Sequence, residues 1–114
     1  MFVIRDAYPV TKGHTLIIPF EHVETWFELN ESQRFDVNLL LRRHRDLLSV
    51  DDPAITAFNI GMNCGADAGQ TVMHCHVHLI PRRRGDVTNP QGGIRAVIPG
   101  AKDYARSKGR TWTS

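Results

Sequence analysis

The sequence predicts an α+β domain in which an antiparallel sheet of about five strands carries one long helix across a face. Three observations predict it. Short runs rich in β-formers, Phe2 to Asp6, His14 to Ile18, Ile55 to Gly61 and Ile94 to Ile98, are each closed by proline, glycine or a polar turn. In the stretch Met73-His74-Cys75-His76-Val77-His78-Leu79-Ile80-Pro81-Arg82 three histidines stand at a strict spacing of two with apolar residues between and beside them, the mark of a strand with one buried face. Between these strands, Asn30 with Gln33 three residues on reads as a capping box.

Each element can be justified in turn. Phe2 to Asp6 ends in the turn Tyr8-Pro9, and Gly13 precedes the second strand, which Pro19 stops. Glu24 to Leu29 suits one or two short helical turns. The long helix opens at Asn30 and runs to about Ser49, with Val37, Leu40, Leu41, Leu47 and Leu48 at spacings that turn one face to the sheet. His44 falls on or beside that face, as a hydrogen-bonded histidine at the core edge. Asp51-Asp52-Pro53 stops the helix. After the third strand, Asn63 to Gly69 is a small-residue turn with two glycines, whose backbone can approach a ligand closely. The histidine strand follows. The turn cluster Asn89-Pro90-Gln91-Gly92-Gly93 and a fifth strand complete the domain at about residue 100, and residues 101–114 form a polar, basic tail.

The totals narrow the function. A chain of 114 residues is one domain. Net charge of +2 is too mild to argue for nucleic-acid binding. No apolar run nears the ~20 residues of a membrane span, and the start is too short for a signal peptide. Cys64 and Cys75 lack paired-ligand spacing and read as free thiols of a reducing cytoplasm. Positive charge gathers at Arg82, Arg83, Arg84, Arg95, Lys102, Arg106, Lys108 and Arg110. A solvated face explains it before a field that attracts polyphosphate does.

The histidine stretch carries the chemistry. A strand would set His74, His76 and His78 in one row, ~6–7 Å between neighbours. Structural histidines are one reading of such a row. Metal is a second, but the outer pair stands too far apart to share one zinc with ~2.0–2.1 Å bonds. Covalent catalysis by one imidazole, oriented by its neighbours, is the third and the favoured one.

The context of that row resembles a known family. Gly69-Gln70-Thr71-Val72 before it and Pro81-Arg82-Arg83-Arg84-Gly85-Asp86 after it, together with Asp6-Ala7-Tyr8-Pro9-Val10, Gly13-His14 through Pro19, and His22, resemble the histidine-triad superfamily of nucleotide hydrolases and transferases. Within it the string is most similar to the fragile-histidine-triad branch, the dinucleoside polyphosphate hydrolases. Matching blocks in order cover about residues 2–98.

The resemblance implies that residues 1–100 form a domain of this fold, without the segment that usually precedes the position of Phe2. That segment helps to form the base pocket in the family, so Val3, Ile4 and a partner subunit are left to hold the base. It implies a nucleotidyl-phosphohistidine on His76, attack at an α-phosphate and release of a nucleoside monophosphate. His78 is then set beside the bridging oxygen, His74 orients His76, and His14 is the family's fourth histidine. His22 matches a frequent family position and stays outside the site set. Asn63, Gly69, Gln70 and Thr71 match positions around the phosphate, and Asp6 matches the residue that bonds the ribose hydroxyls. An Asx-turn before Pro9 is the plainer role for Asp6, and strand-edge polarity for Gln70 and Thr71.

The partners implied are a purine nucleotide or dinucleoside polyphosphate and a second copy in a twofold dimer, with no nucleic acid and no membrane. No tightly bound cofactor and no protein-held metal are implied. A divalent metal is expected only in company with the polyphosphate substrate. The competing activities are a nucleoside phosphoramidase, a phosphorylase using inorganic phosphate, and a non-catalytic nucleotide sensor.

Overall fold

A computed structural model describes residues 1–102, in two units, Met1–Arg84 and the stretch from Gly85 onward. The expected basic tail, from Asp103 on, lies outside the described residues. The first unit holds the strands β1 (Phe2–Arg5), β2 (Thr15–Ile18), β3 (Ile55–Gly61) and β4 (Val77–Arg83), and one helix, α1 (Glu31–Asp51). The strands form one antiparallel sheet in the order β1-β2-β4-β3. The α+β architecture read from the sequence is therefore present, with four strands among the described residues.

The expected fifth strand at Ile94 to Ile98 is instead a 3-10 turn, Gly93–Val97, entered through Gly92 at φ 76°. Two glycines and a preceding proline favour that tight turn over a ladder. In the second unit it is accompanied by bonds from Lys102 Nζ to the Asn89 carbonyl (2.8 Å) and from Arg95 Nε to the Ala101 carbonyl (2.9 Å).

Helix α1 starts where its cap places it. The Asn30 side chain accepts from the Gln33 amide (2.8 Å), and Gln33 Oε1 accepts in return from the Asn30 amide (2.9 Å), so two otherwise orphaned donors are satisfied. Thr25 and Glu28 close a second capping box around the 3-10 turn Trp26–Glu28, the short turn expected there. Val37 and Leu48 are buried on α1, and Leu40 and Leu41 pack beside them. Leu47 is 52% exposed, a correction to the expected core face. It sits next to Leu48 and so points about 100° away from it around the helix. His44 is half-buried, but its Nδ1 has no hydrogen-bond partner, unlike the bonded histidine expected. Burial, with Arg5 and Arg43 nearby, lowers its pKa.

Residues directly opposite in an antiparallel ladder share a face, which fixes what each face bears. Val3, Ile17 and Val77 align across β1, β2 and β4 and join the core with Val37, Leu29 and Cys75. Ile4, Leu16, His78 and Gly61 align on the other face. The helix thus covers the apolar face, opposite the face that bears His78. Gly13 positions the entry to β2: its φ is 93°, and a Cβ would come within 3.2 Å of both Leu48 and Pro81.

Candidate active site

The histidine stretch is only partly a strand. Strand β4 begins at Val77, so His78 lies on the ladder, His76 just before it, and His74 in a bend. This corrects the expected straight row of three rings. The alternation itself holds: Cys75, Val77 and Leu79 are buried, and the three histidines between and beside them are half-buried. The bend has a cause, since the Cys75 amide donates to the Val23 carbonyl (2.7 Å) and ties the chain to the loop after β2. Burial pushes the Cys75 thiol up to about 11, as a small core residue away from the histidines should behave.

Hydrogen-bond partners fix which ring nitrogen carries a proton. A carbonyl can only accept, so His76, with Nδ1 2.7 Å from the His74 carbonyl oxygen, donates from Nδ1. Neutral His76 therefore keeps its lone pair on Nε2. His74 donates from Nε2 to the Pro19 carbonyl (2.8 Å), which leaves its Nδ1 to accept from His22 Nδ1 (3.2 Å). The Val10 amide donates to His14 Nδ1 (3.1 Å), so His14 carries its proton on Nε2 and donates it to His78 Nδ1 (2.8 Å). His78 then bears its own proton on Nε2. The rings of His76 and His78 stand 5.3 Å apart and nearly perpendicular.

Burial lowers the pKa of both members of the His14–His78 pair. For His14 the nearby Asp6 carboxylate opposes that shift and is outweighed. For His78, the neighbouring His14 and His76 add to it. Both rings are thus held neutral near pH 7.

Asp6 Oδ1 accepts from the Tyr8 amide (2.8 Å), so the Asx-turn is present, while Oδ2 lies 3.5 Å from His14 Nε2. Asp6, His14 and His78 bring ligand-type atoms within 4.8 Å of one another. Both nitrogens of His14 are already committed, one to Val10 and one to His78, so the trio fits a hydrogen-bonded relay better than a ligand set.

The residues expected around the phosphate separate into two groups. Gln70 is 4% exposed, and its amide donates to the Glu24 (2.7 Å) and Val72 (3.1 Å) carbonyls while accepting from the Gly65 amide (2.8 Å). Both of its donors are spent on the loop, which the side chain braces. Thr71 is exposed just before the triad. Gly69 is exposed at φ 93° and closes the 3-10 turn Ala66–Ala68. The Asn63 amide lies against it, 3.8 Å from where a Cβ would stand. Asn63 follows β3 by two residues, and Gly61 pairs with His78, so Asn63 flanks His76 across the ladder direction.

Val3 packs into the core, which removes it from the expected base-holding pair, whereas Ile4 is 45% exposed on the triad face. With Phe2, Leu16 and Ile18, Ile4 makes an apolar strip beside His78, extended by Phe20 at 5.0 Å from the Phe2 ring. Phe2 and Ile4 at a spacing of two in a strand were the signal for that strip. The Val10 amide, by contrast, carries no side-chain signal.

The HIT domain model matches residues 1–85. The chain belongs to the HIT domain family. Among curated HIT relatives, it is 40% identical over 68% of its length to bis(5'-nucleosyl)-tetraphosphatase [asymmetrical] of Schizosaccharomyces pombe, spanning 42% of that protein. It is 35% identical over 75% of its length to the nitrilase and fragile histidine triad fusion protein NitFhit of Caenorhabditis elegans, spanning 19% of it. The crystal structure of NitFhit superimposes with a TM-score of 0.71 over 84% of this chain and 23% of that one, at 32% identity. The AP-4-A phosphorylase of Mycobacterium tuberculosis is 26% identical over 98% of this chain, which spans 58% of that protein. This HIT chain thus covers less than two thirds of the length of each of these relatives. Among the described residues no helix is long and apolar enough to cross a membrane.

Proposed function

We propose that this HIT domain cleaves a dinucleoside polyphosphate, or a related nucleotide, at the α-phosphate through a covalent nucleotidyl-His76 intermediate and releases a nucleoside monophosphate. The observation that carries this is the bond from His76 Nδ1 to the His74 carbonyl, which leaves Nε2 as an unprotonated nucleophile. His76 Nε2 forms a bond to phosphorus as the bridging P–O bond breaks, and the electron pair leaves with the departing phosphate oxygen. Water then attacks phosphorus, the P–N pair returns to His76, and a proton passes to solvent.

His78 Nε2–H supplies a hydrogen bond to the leaving oxygen, and His74 holds His76 in its tautomer through its carbonyl. His14 acts through His78. Asn63 and the exposed turn at Gly69 and Thr71 offer donors for the nonbridging oxygens, where preorganised donors matter most. Asp6 keeps accepting lone pairs for the ribose hydroxyls beyond its turn bond. The apolar strip of Phe2, Ile4 and Ile18 suits a purine base. A divalent metal would travel with the polyphosphate. A cytoplasmic homodimer paired along the β3 edge completes the reading, since β3 ends the sheet and open edges call for a cover. The curated relatives named for the tetraphosphatase and AP-4-A phosphorylase activities support the substrate class.

The likeness to the phosphorylase, which extends over 98% of the chain, favours phosphate replacing water as the second reading. A panel of dinucleoside tri- and tetraphosphates, with and without inorganic phosphate, separates the two by product: a nucleoside monophosphate from water, a diphosphate from phosphate. Quenching in base during turnover should trap a base-stable, acid-labile nucleotide adduct on the His76 peptide. Turnover without any such adduct in wild type, or turnover near wild type in His76→Asn, would falsify the covalent route.

A further inference from the structure

The basic run Arg42-Arg43-His44-Arg45 on α1 plays no part in the site described above. His44 stands one turn beyond Leu40 and Leu41 and one turn before Leu48, so it faces the sheet among core residues. Its Nδ1 is buried, and nothing donates to it or accepts from it. A buried polar atom in that state costs free energy, and an ion is among the few things that account for one.

The same place is marked from β1. Val3 and Arg5 lie on one face of the strand by alternation, and Val3 packs into the core. Arg5 pairs with Thr15, which pairs in turn with Leu79 of the core. The Arg5 guanidinium donates to the Thr15 hydroxyl (2.7 Å), and Thr15 is wholly buried. The guanidinium therefore reaches into the layer between helix and sheet, although the residue as a whole stays exposed. The carboxylate of Asp6, next in the chain, points to the opposite face, towards His14.

Three basic groups thus meet without an acid. After burial, the charges that push the His44 pKa down are those of Arg5 and Arg43, and no carboxylate opposes them. Neither arginine pairs with a carboxylate among the described residues. Arg45, farther along the helix, is already paired with Asp46 (2.9 Å). The side chain that faces the group from β2 is the uncharged Thr15.

We infer that Arg5, Arg43 and His44 form a second anion site, on the helix-covered face opposite the triad, and that it takes the phosphoryl group of inorganic phosphate or of a phosphate monoester. Two guanidinium forks and a protonated imidazole offer donors only, so the ligand must accept on every side. A phosphoryl group has an oxygen for each of the three, and its second negative charge sets it above a carboxylate. His44 takes up a proton from solvent as the anion binds. The bound charge then offsets the repulsion from the two arginines. The site stands whether or not His76 forms a covalent intermediate, because none of its groups belongs to the triad face.

The test follows the His44 ring in proton–nitrogen spectra of labelled protein over about pH 5 to 8. The arms are inorganic phosphate, a nucleoside monophosphate, the bare nucleoside, and chloride at equal ionic strength. Phosphate and the monophosphate should each raise the His44 pKa by about one unit over chloride, and the nucleoside should leave it in place. A rise with both assigns the site to the phosphoryl group itself, and a rise with one alone identifies that one as the ligand. Equal values in phosphate, monophosphate and chloride overturn the inference, as does a shift caused by the bare nucleoside.

Arg43→Gln and Arg5→Gln sharpen the result. Both residues are exposed, and in each variant the rise from chloride to phosphate should shrink to about a third of a unit or less. Full retention of that rise in either folded variant contradicts the site. If Arg5→Gln fails to fold for want of its bond to Thr15, Arg43→Gln decides alone.

Discussion

Two histidine pairs flank His76, and they differ in little but burial. His22 and His74 meet at 3.2 Å with ring centres 5.2 Å apart, and His14 and His78 meet at 2.8 Å with centres 5.1 Å apart. His22 is exposed, so water can stand in for its partner, whereas His14 is 3% exposed and cannot trade its bonds. The same residue type at nearly the same separation thus yields one pair whose outer ring, His22, lies open to water and one whose outer ring, His14, is enclosed. What makes a histidine chemically specific here is the backbone group behind it: the Val10 amide behind His14, and the His74 carbonyl behind His76.

Substitutions along the chain of bonds should show that contrast, in falling order of effect. His76→Asn should lower turnover by roughly 10⁴-fold or more, as removal of a nucleophile does, with nucleotide affinity by calorimetry kept within a few fold. His78→Ala removes the donor at the leaving oxygen and should cost on the order of 10²–10³-fold in kcat. His22→Gln, on the exposed pair, should cost under about fivefold, since a water or the amide replaces its single bond. A loss for His22→Gln as large as that for His78→Ala would erase the distinction between the pairs.

Stability should divide along the same line. Gln70→Ala removes the partner of the Gly65 amide and of the Glu24 and Val72 carbonyls around a buried side chain, at a cost of roughly 1–3 kcal/mol in denaturant unfolding. His14, His78 and His44 all have pKa values lowered by folding from the ordinary 6.5. Between the lowered and ordinary values the unfolded chain binds more protons, so stability is full above the ordinary value and is lost as pH falls through that window. Asp52, held down by its bond to Arg83, adds its loss only at still lower pH. The melting temperature at pH 7.5 should therefore exceed that at pH 5.5, and a rise on acidification would contradict the buried-pair account.

The parts that were legible in the sequence are those set by local rules. The Asn30–Gln33 box and the period of Val37 and Leu48 placed α1, and alternation placed Cys75, Val77 and Leu79 inside. Local rules also misled where tertiary bonds decide. The row from His74 to His78 looked straight because periodicity cannot see that the Cys75 amide is taken by Val23. Gln70 matches a family position at the phosphate, and only the fold shows its side-chain amide bonded to three backbone groups. Leu47 fitted the apolar period, yet it falls just outside the arc that the sheet covers.

The central claim is that backbone groups fix the protons on three rings, and ring-nitrogen chemical shifts read this most directly. Long-range proton–nitrogen spectra of nitrogen-labelled protein from pH 5.5 to 8 should show His76 protonated on Nδ1, and His14 and His78 on Nε2, with His78 failing to gain a second proton across that range. A proton on His76 Nε2, or His78 titrating to imidazolium within that range, would contradict it.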